Sequence, residues 1–98
     1  MERVGSEQLD KLYQVILGLE TVAECYDFFE DLCTIKELKD LSQRLEVAFL
    51  LDRGLSYQQV AAETGVSSAT ICRVKKCLDY GSGGYRRAID RAAEKGRN

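Results

Sequence analysis

The stretch that decides the fold covers residues 56–74 and reads SYQQVAAETGVSSATICRV. It holds Ala61, then Gly65 four residues later, then Ile71 six residues after the glycine. Two short helices that cross steeply need a small residue at the crossing, a turn residue that tolerates positive φ, and an aliphatic side chain on the second helix that packs back on the first. The spacing therefore predicts a helix-turn-helix. An ordinary helical hairpin within a bundle is the alternative.

Apolar residues at 3.6-residue spacing, together with capping signals, predict an all-α chain of six helices. The chain has no proline, which favours uninterrupted helices because proline is the usual helix breaker. Three of the predicted starts have the spacing of a capping box, at Thr21, Thr34 and Ser56. The predicted helices cover residues 7–20, 21–33, 34–53, 56–64, 67 or 68 to 79, and 85–93.

The third predicted helix is apolar over an unusually wide arc. The residues of this arc are Leu38, Leu41, Leu45, Val47, Ala48, Phe49, Leu50 and Leu51. A helix on the outside of a small monomer needs only a narrow apolar stripe. We therefore expect this helix to be central and packed on more than one side. Because a 98-residue chain buries a modest share of its surface, burial against a partner chain is plausible.

Charge is distributed unevenly along the chain, although the total is only −2. Residues 1–55 hold 6 Lys and Arg against 12 Asp and Glu, whereas residues 56–98 hold 8 against 4, giving −6 and +4. Phosphate binding depends on the local field of a patch rather than on the total charge. The C-terminal half is therefore the candidate for nucleic-acid binding, with chance fluctuation in a short chain as the alternative.

Other function classes find little support in the sequence. No segment is long and apolar enough to span a membrane, and no secretory signal is visible, so a cytoplasmic, reducing location is expected. Histidine is absent and no cysteine pair has zinc-site spacing, so neither a metal site nor a disulfide is expected among Cys25, Cys33, Cys72 and Cys77. No nucleophile–base pair or phosphate loop is recognisable, which argues against an enzyme.

The second helix of the helix-turn-helix supplies the predicted contacts to DNA. Its first turn holds short side chains, which let the backbone approach the major groove and offer hydroxyls to bases or phosphates. The residues expected to face base edges are Ser68, Ala69 and Cys72. Those expected to contact phosphates or position the helix are Ser67, Thr70, Arg73 and Lys76. For each basic residue, an ordinary solvated face is the alternative. Arg86, Arg87 and Arg91 on the last helix either extend the basic surface or form a solvent face whose charges pair with Asp90 and Glu94.

Four segments resemble the YerC/YecD branch of the tryptophan-repressor-related proteins. They are CYDFFEDLCT at 25–34, QRLEVA at 43–48, ATICR at 69–73 and LDYGSGGY at 78–85. The resemblance implies a six-helix tryptophan-repressor-like fold, an intertwined homodimer, and a repressor that binds double-stranded DNA with two symmetric reading heads roughly 34 Å apart. It also implies one domain over 1–98, with dimerisation helices at 6–55, the helix-turn-helix at 56–79, and a glycine turn and last helix at 80–98.

The same resemblance implies a possible ligand pocket. The tryptophan repressor holds its co-repressor with a threonine and two arginines, and Thr34, Arg44 and Arg73 stand at the matching places. Two departures argue against tryptophan as the ligand: Val74 replaces a glycine, and Cys77 replaces a serine by a weaker hydrogen-bonding group. Another small-molecule co-repressor, or no ligand or cofactor at all, therefore stays open.

A further departure concerns DNA contact. On the fourth helix, Gln58 replaces an arginine that helps the tryptophan repressor to read DNA, so a different operator is expected. Two other functions remain as alternatives. One is a protein-interaction or scaffold dimer that has lost DNA binding, and the other is a promoter reader similar to a sigma factor.

Overall fold

The computed structural model describes residues 5–96, and this part of the chain contains six α-helices and no strand. The prediction of an all-α, six-helix fold is confirmed. The helices are α1 (Glu7–Leu17), α2 (Val22–Leu32), α3 (Ile35–Asp52), α4 (Tyr57–Thr64), α5 (Ser68–Tyr80) and α6 (Gly84–Lys95). Among the described residues, no helix is long and apolar enough to cross a membrane.

The chain divides into two compact units, residues 1–35 and 36–98. In the first unit, α1 and α2 each begin at a hydroxyl cap. Ser6 Oγ accepts from the backbone N–H of Leu9 at 3.1 Å, and Thr21 Oγ1 accepts from that of Glu24 at 3.1 Å. Such caps satisfy N–H groups that have no partner within the helix.

The first helix ends at Leu17, three residues before the predicted end at Glu20. The N–H of Gly18 donates to the carbonyl of Val15 at 3.0 Å, and the N–H of Leu19 donates to that of Ile16 at 3.1 Å. These bonds span three residues instead of four, so they tighten and close the last turn. The predicted end was wrong because Thr21 must be extended, at φ −134° and ψ 161°, to cap α2.

None of the described residues of α1 and α2 is buried. Large apolar side chains of this unit are exposed, including Leu17 at 78%, Val22 at 73% and Ile35 at 87%. Phe28 and Phe29 make an edge-to-face contact, with ring centroids 5.3 Å apart. The N-terminal unit therefore carries apolar surface that it does not bury by itself.

The second unit contains the core. The buried residues are Val47, Ala48, Leu50, Leu51, Val60, Ile71, Val74 and Ile89, and they come from α3, α4, α5 and α6. The expected central position of α3 holds for its C-terminal half, which supplies four of these eight residues. In its N-terminal half, Leu41 and Leu45 remain 45% and 42% exposed. The wide apolar arc of α3 is thus only partly buried within unit 2.

The last helix packs on this core through Ile89, which is buried, and Tyr85, which is half-buried. Arg86 on α6 also donates to the carboxylate of Asp52 at the end of α3, and lies 3.6 Å from that of Asp90. At the turn before α6, a Cβ on Gly81 would lie 2.4 Å from the carbonyl oxygen of Cys77. Only glycine allows so close an approach, which explains one glycine of the GSGG run.

Candidate nucleic-acid interface

The first helix of the candidate interface, α4, begins with a complete capping box. Ser56 Oγ accepts from the backbone N–H of Gln59 at 3.2 Å, and Gln59 Oε1 accepts from that of Ser56 at 2.8 Å. The predicted pairing of Ser56 with Gln59 is confirmed. Because Gln59 is committed to the cap, its neighbour Gln58 is the exposed amide of this turn that can contact a ligand.

Gly65 ends α4 in the left-handed conformation, with φ 72° and ψ 8°. Its N–H donates to the carbonyl of Ala61 at 2.8 Å, which closes the last turn of α4. Residues with a Cβ adopt this conformation at a cost, so the glycine permits the sharp change of direction between α4 and α5. The prediction for Gly65 is confirmed.

Thr64 has a role in this turn that the sequence analysis missed. Its hydroxyl donates to the carbonyl of Val60 at 2.7 Å and accepts from the N–H of Val66 at 3.2 Å. One side chain therefore links the end of α4 to the residue that leads into α5. A threonine just before the glycine that ends a helix is the available signal, since its hydroxyl can reach the carbonyl four residues earlier.

The two helices are held together by a small apolar core. Val60 and Ile71 are fully buried, Val74 is 2% exposed, and Ala61 and Val66 pack against them. This arrangement matches the predicted roles of Ala61 and Ile71. Because Ile71 and Val74, three positions apart, share the buried side of α5, the opposite side of this helix points outward.

The outward side of α5 forms what we call the reading face, made of Ser68, Ala69, Cys72, Arg73 and Lys76, all of which are exposed. Its amino end is uncovered, since Ser67 and Ser68 are exposed as well. The structure thus brings five of the predicted contact residues to one surface. Thr70, by contrast, is half-buried beside this face.

Ser67 is the N-cap of α5, so the helix begins at Ser68. The Ser67 hydroxyl accepts from the backbone N–H of Thr70 at 3.3 Å and donates to Thr70 Oγ1 at 3.1 Å. The Ser67 hydroxyl therefore acts as both donor and acceptor within the protein, although the sequence analysis assigned Ser67 to phosphate contact. A phosphate contact at Ser67 would therefore involve the exposed start of α5 and not this hydroxyl alone.

The basic side chains near the reading face differ in their partners. Lys75 is paired with Asp79, with Nζ 3.4 Å from Oδ1. Within residues 5–96, neither Arg73 nor Lys76 has an ion-pair partner. These two cations thus have no acidic side chain beside them and are available to an anionic ligand. The sequence analysis missed this difference, although the four-residue spacing of Lys75 and Asp79 on one helix was the available signal.

A groove of about 310 Å³ lies between α3 and the start of α5. Its lining consists of Asp40, Gln43, Arg44, Gly65, Val66, Ser67 and Thr70. Of the predicted ligand residues, only Arg44 lines this groove. Arg73 and Cys77 are exposed on α5 outside it, and Thr34 belongs to the N-terminal unit. Val74, the residue expected to fill the space of a ligand ring, is part of the buried core.

The described residues hold no group of three or more potential metal ligands. The four cysteines are free thiols; Cys72 and Cys77 are exposed, whereas Cys25 and Cys33 are half-buried. The chemistry of the surface is therefore set by hydroxyls, amides and guanidinium or ammonium groups. Such groups recognise phosphates and base edges.

The described part of the chain is thus all-helical, with a capped α4, a left-handed glycine at its end and an exposed outward side on α5. The model of the Trp repressor protein family matches residues 7–93. The chain is also 49% identical over 94 residues to YerC of Bacillus subtilis (strain 168), which covers 96% of this chain and 90% of YerC. This chain therefore belongs to the Trp repressor protein family, and its expected resemblance to YerC is confirmed.

Two solved structures support the same fold. A TrpR-like protein from Eubacterium eligens ATCC 27750 has a TM-score of 0.87 and 46% identity, covering 90% of this chain and 91% of its own. A Staphylococcus aureus protein also has a TM-score of 0.87, with 45% identity over 91% of this chain and 89% of its own. The expected tryptophan-repressor-like architecture is thereby confirmed.

Proposed function

We propose that this chain is a sequence-specific DNA-binding transcription regulator, and specifically a repressor, whose α4 and α5 form a helix-turn-helix. The observation that carries the proposal is the reading face. It is exposed along α5 from an uncovered amino end, while Ile71 and Val74 on the opposite side anchor the helix in the core. A reading helix needs this combination of rigid attachment and open surface. Acting on chromosomal DNA, the protein works in the cytoplasm.

Contacts to bases are assigned to the small side chains of the reading face. Ser68 and Ala69 lie in the first turn of α5, and Cys72 follows one turn later on the same side. Short side chains let the helix backbone lie deep in the major groove. Gln58 reaches the same duplex from α4, where an amide can pair with an adenine edge.

Contacts to phosphates are assigned to Arg73, Lys76 and Thr70, and to the start of α5 at Ser67. The two cations have no acidic partner within the described chain. Residues 36–98 hold 12 Lys and Arg against 8 Asp and Glu, a net charge of +4, while residues 1–35 hold 2 against 8, a net charge of −6. The unit that carries the reading face is thus the one with the favourable field.

We further propose that residues 6–55 mediate an intertwined homodimer, with residues 56–79 as the reading unit and residues 80–98 completing the single domain. The support is the apolar surface that α1 and α2 expose. Apolar area left in water gains roughly 25 cal/mol per Å² when a partner covers it. Two copies related by a two-fold axis would present two reading faces to a palindromic site.

The proposal is tested by selecting bound duplexes from a random library with the full chain. We expect recovery of a palindrome whose half-sites lie roughly 34 Å apart, or one helical turn. A non-palindromic site bound only with RNA polymerase would instead indicate a promoter reader. Dimers that bind no duplex at low salt would indicate a scaffold protein, and the proposal would fail.

A second arm of this test uses charge variants in a salt titration. Neutralising Arg73 and Lys76 together, as R73Q/K76Q, should lower the slope of log affinity against log salt by about 1.8 per bound protomer, or about 0.9 for each lost phosphate contact. The matched control is K11Q/K95Q, which removes two positive charges from α1 and α6. Equal effects of the two pairs would mean that only total charge matters.

A further inference from the structure

The groove between α3 and the start of α5 contains a cation that the reading face does not use. Arg44 is half-buried on α3, and no carboxylate within residues 5–96 forms an ion pair with it. An arginine that borders a groove and has no acidic partner can bind an anion there. The acid that shares the groove, Asp40, is instead bonded to Lys36, with Oδ2 3.1 Å from Nζ. The groove therefore keeps an uncompensated positive charge.

Hydrogen-bond donors line the same groove. Because the Ser67 hydroxyl donates to Thr70 Oγ1 at 3.1 Å, Thr70 keeps its own hydroxyl proton for an external acceptor. Gln43 adds a side-chain amide to the lining. A guanidinium, a hydroxyl proton and an amide beside one another suit a tetrahedral oxyanion, and a guanidinium can bind it with two parallel hydrogen bonds.

The position of the groove identifies the source of that anion. Its lining includes Gly65, Val66 and Ser67, the residues that lead directly into the exposed start of α5. Phosphates flank any helix that enters the major groove, so the duplex backbone passes close to this start. The volume of about 310 Å³ accommodates a phosphodiester group.

We propose that this groove is a phosphate site for double-stranded DNA, in which Arg44 binds the backbone from α3 and Thr70 donates a second hydrogen bond. This inference rests on the proposed DNA-binding function and adds a third helix to it. Ser67 then acts as a positioning residue, since its hydroxyl orients that of Thr70. The groove thereby fixes the register of α5 on the duplex, whereas the reading face selects the sequence.

The test compares R44Q with R44K and R53Q in salt titrations of the full chain on one random-sequence duplex. R44Q should lower the salt slope by about 0.9 per bound protomer, so a change from about 50 to about 200 mM salt weakens its binding about 3.5-fold less than that of the original chain. R44K keeps the charge and should keep the slope. Arg53, exposed in the turn directly after α3 and outside the groove, serves as the control, and R53Q should leave the slope unchanged.

A second variant pair tests the hydroxyl without touching a charge. T70V should weaken DNA binding severalfold, whereas T70S, which keeps the donor, should bind like the original chain. Circular dichroism and melting temperature establish that R44Q and T70V fold. An unchanged slope for R44Q, or an equal loss in R53Q, overturns the phosphate site while leaving DNA binding by α5 intact.

The remaining outcomes are equally decisive. Binding heat with a free amino acid that is lost in R44Q would assign the groove to a small ligand and overturn the phosphate site. Failure of the original chain to bind any duplex would overturn the proposed function itself, together with this inference. Retained binding with a lowered slope in R44Q alone supports the site.

Discussion

At the scale of single residues, Gly65 shows how a backbone angle determines the direction of the next helix. No atom lies within 4 Å of a Cβ built on this glycine, so space does not restrict the position. The restriction is its φ of +72°, which residues with a Cβ rarely adopt. The turn into α5 therefore depends on conformational freedom, and the glycine was predictable from its spacing alone.

We expect Gly65→Ala to lower the free energy of unfolding by about 1 to 2 kcal/mol, the cost of a left-handed residue with a Cβ. The control is Gly84→Ala, because Gly84 is the first residue of α6, has no positive φ, and also has open space around its Cβ. Urea denaturation of both variants measures the difference. Similar stabilities of the two variants would show that the turn does not require its left-handed residue.

At the scale of elements, α5 has one side that is buried in the core and an opposite side that is exposed. Ile71 is fully buried, and its neighbour Cys72 is exposed on the reading face. Shortening Ile71 to valine should cost about 0.5 to 1.5 kcal/mol of stability, since it removes one buried methyl group. It should leave the preferred DNA sequence unchanged.

The adjacent substitution Cys72→Ala should have the opposite effect. Because the thiol is exposed, we expect a change in stability within about 0.5 kcal/mol. Loss of a base-edge contact should instead relax the preference at one base-pair position, by less than the about 1 to 3 kcal/mol of a bidentate pair, because a thiol is a weak hydrogen-bonding group. Selection from a random library, run on both variants, measures this. Unaltered base preference in Cys72→Ala would remove Cys72 from the contact residues.

At the scale of the whole molecule, the exposed apolar surface of the N-terminal unit predicts association. If a second copy covers α1 and α2, the melting temperature must rise with protein concentration by mass action. The double variant L17S/V22S should shift the protein toward monomer in sedimentation equilibrium. The control is Tyr80→Ser, which removes an equally exposed side chain, at 81%, from the end of α5. A melting temperature independent of concentration would contradict the dimer.

Much of the fold was predictable from the chain itself. The order of six helices, the capping box at Ser56 and the left-handed Gly65 all follow from local chemistry, because a cap or a turn is formed by residues close in sequence. Apolar spacing likewise identified Ile71 as inward-facing. The end of α1 was missed because two competing helix signals overlap between Gly18 and Thr21.

Contacts between distant segments were decided only by the tertiary structure. The sequence could not show that Arg44 lies across a groove from Thr70, because 25 intervening residues separate them in the chain. Helix periodicity specifies which way a side chain points from its own axis, whereas packing specifies what it meets. The reading face follows from the first, and the groove between α3 and the start of α5 from the second.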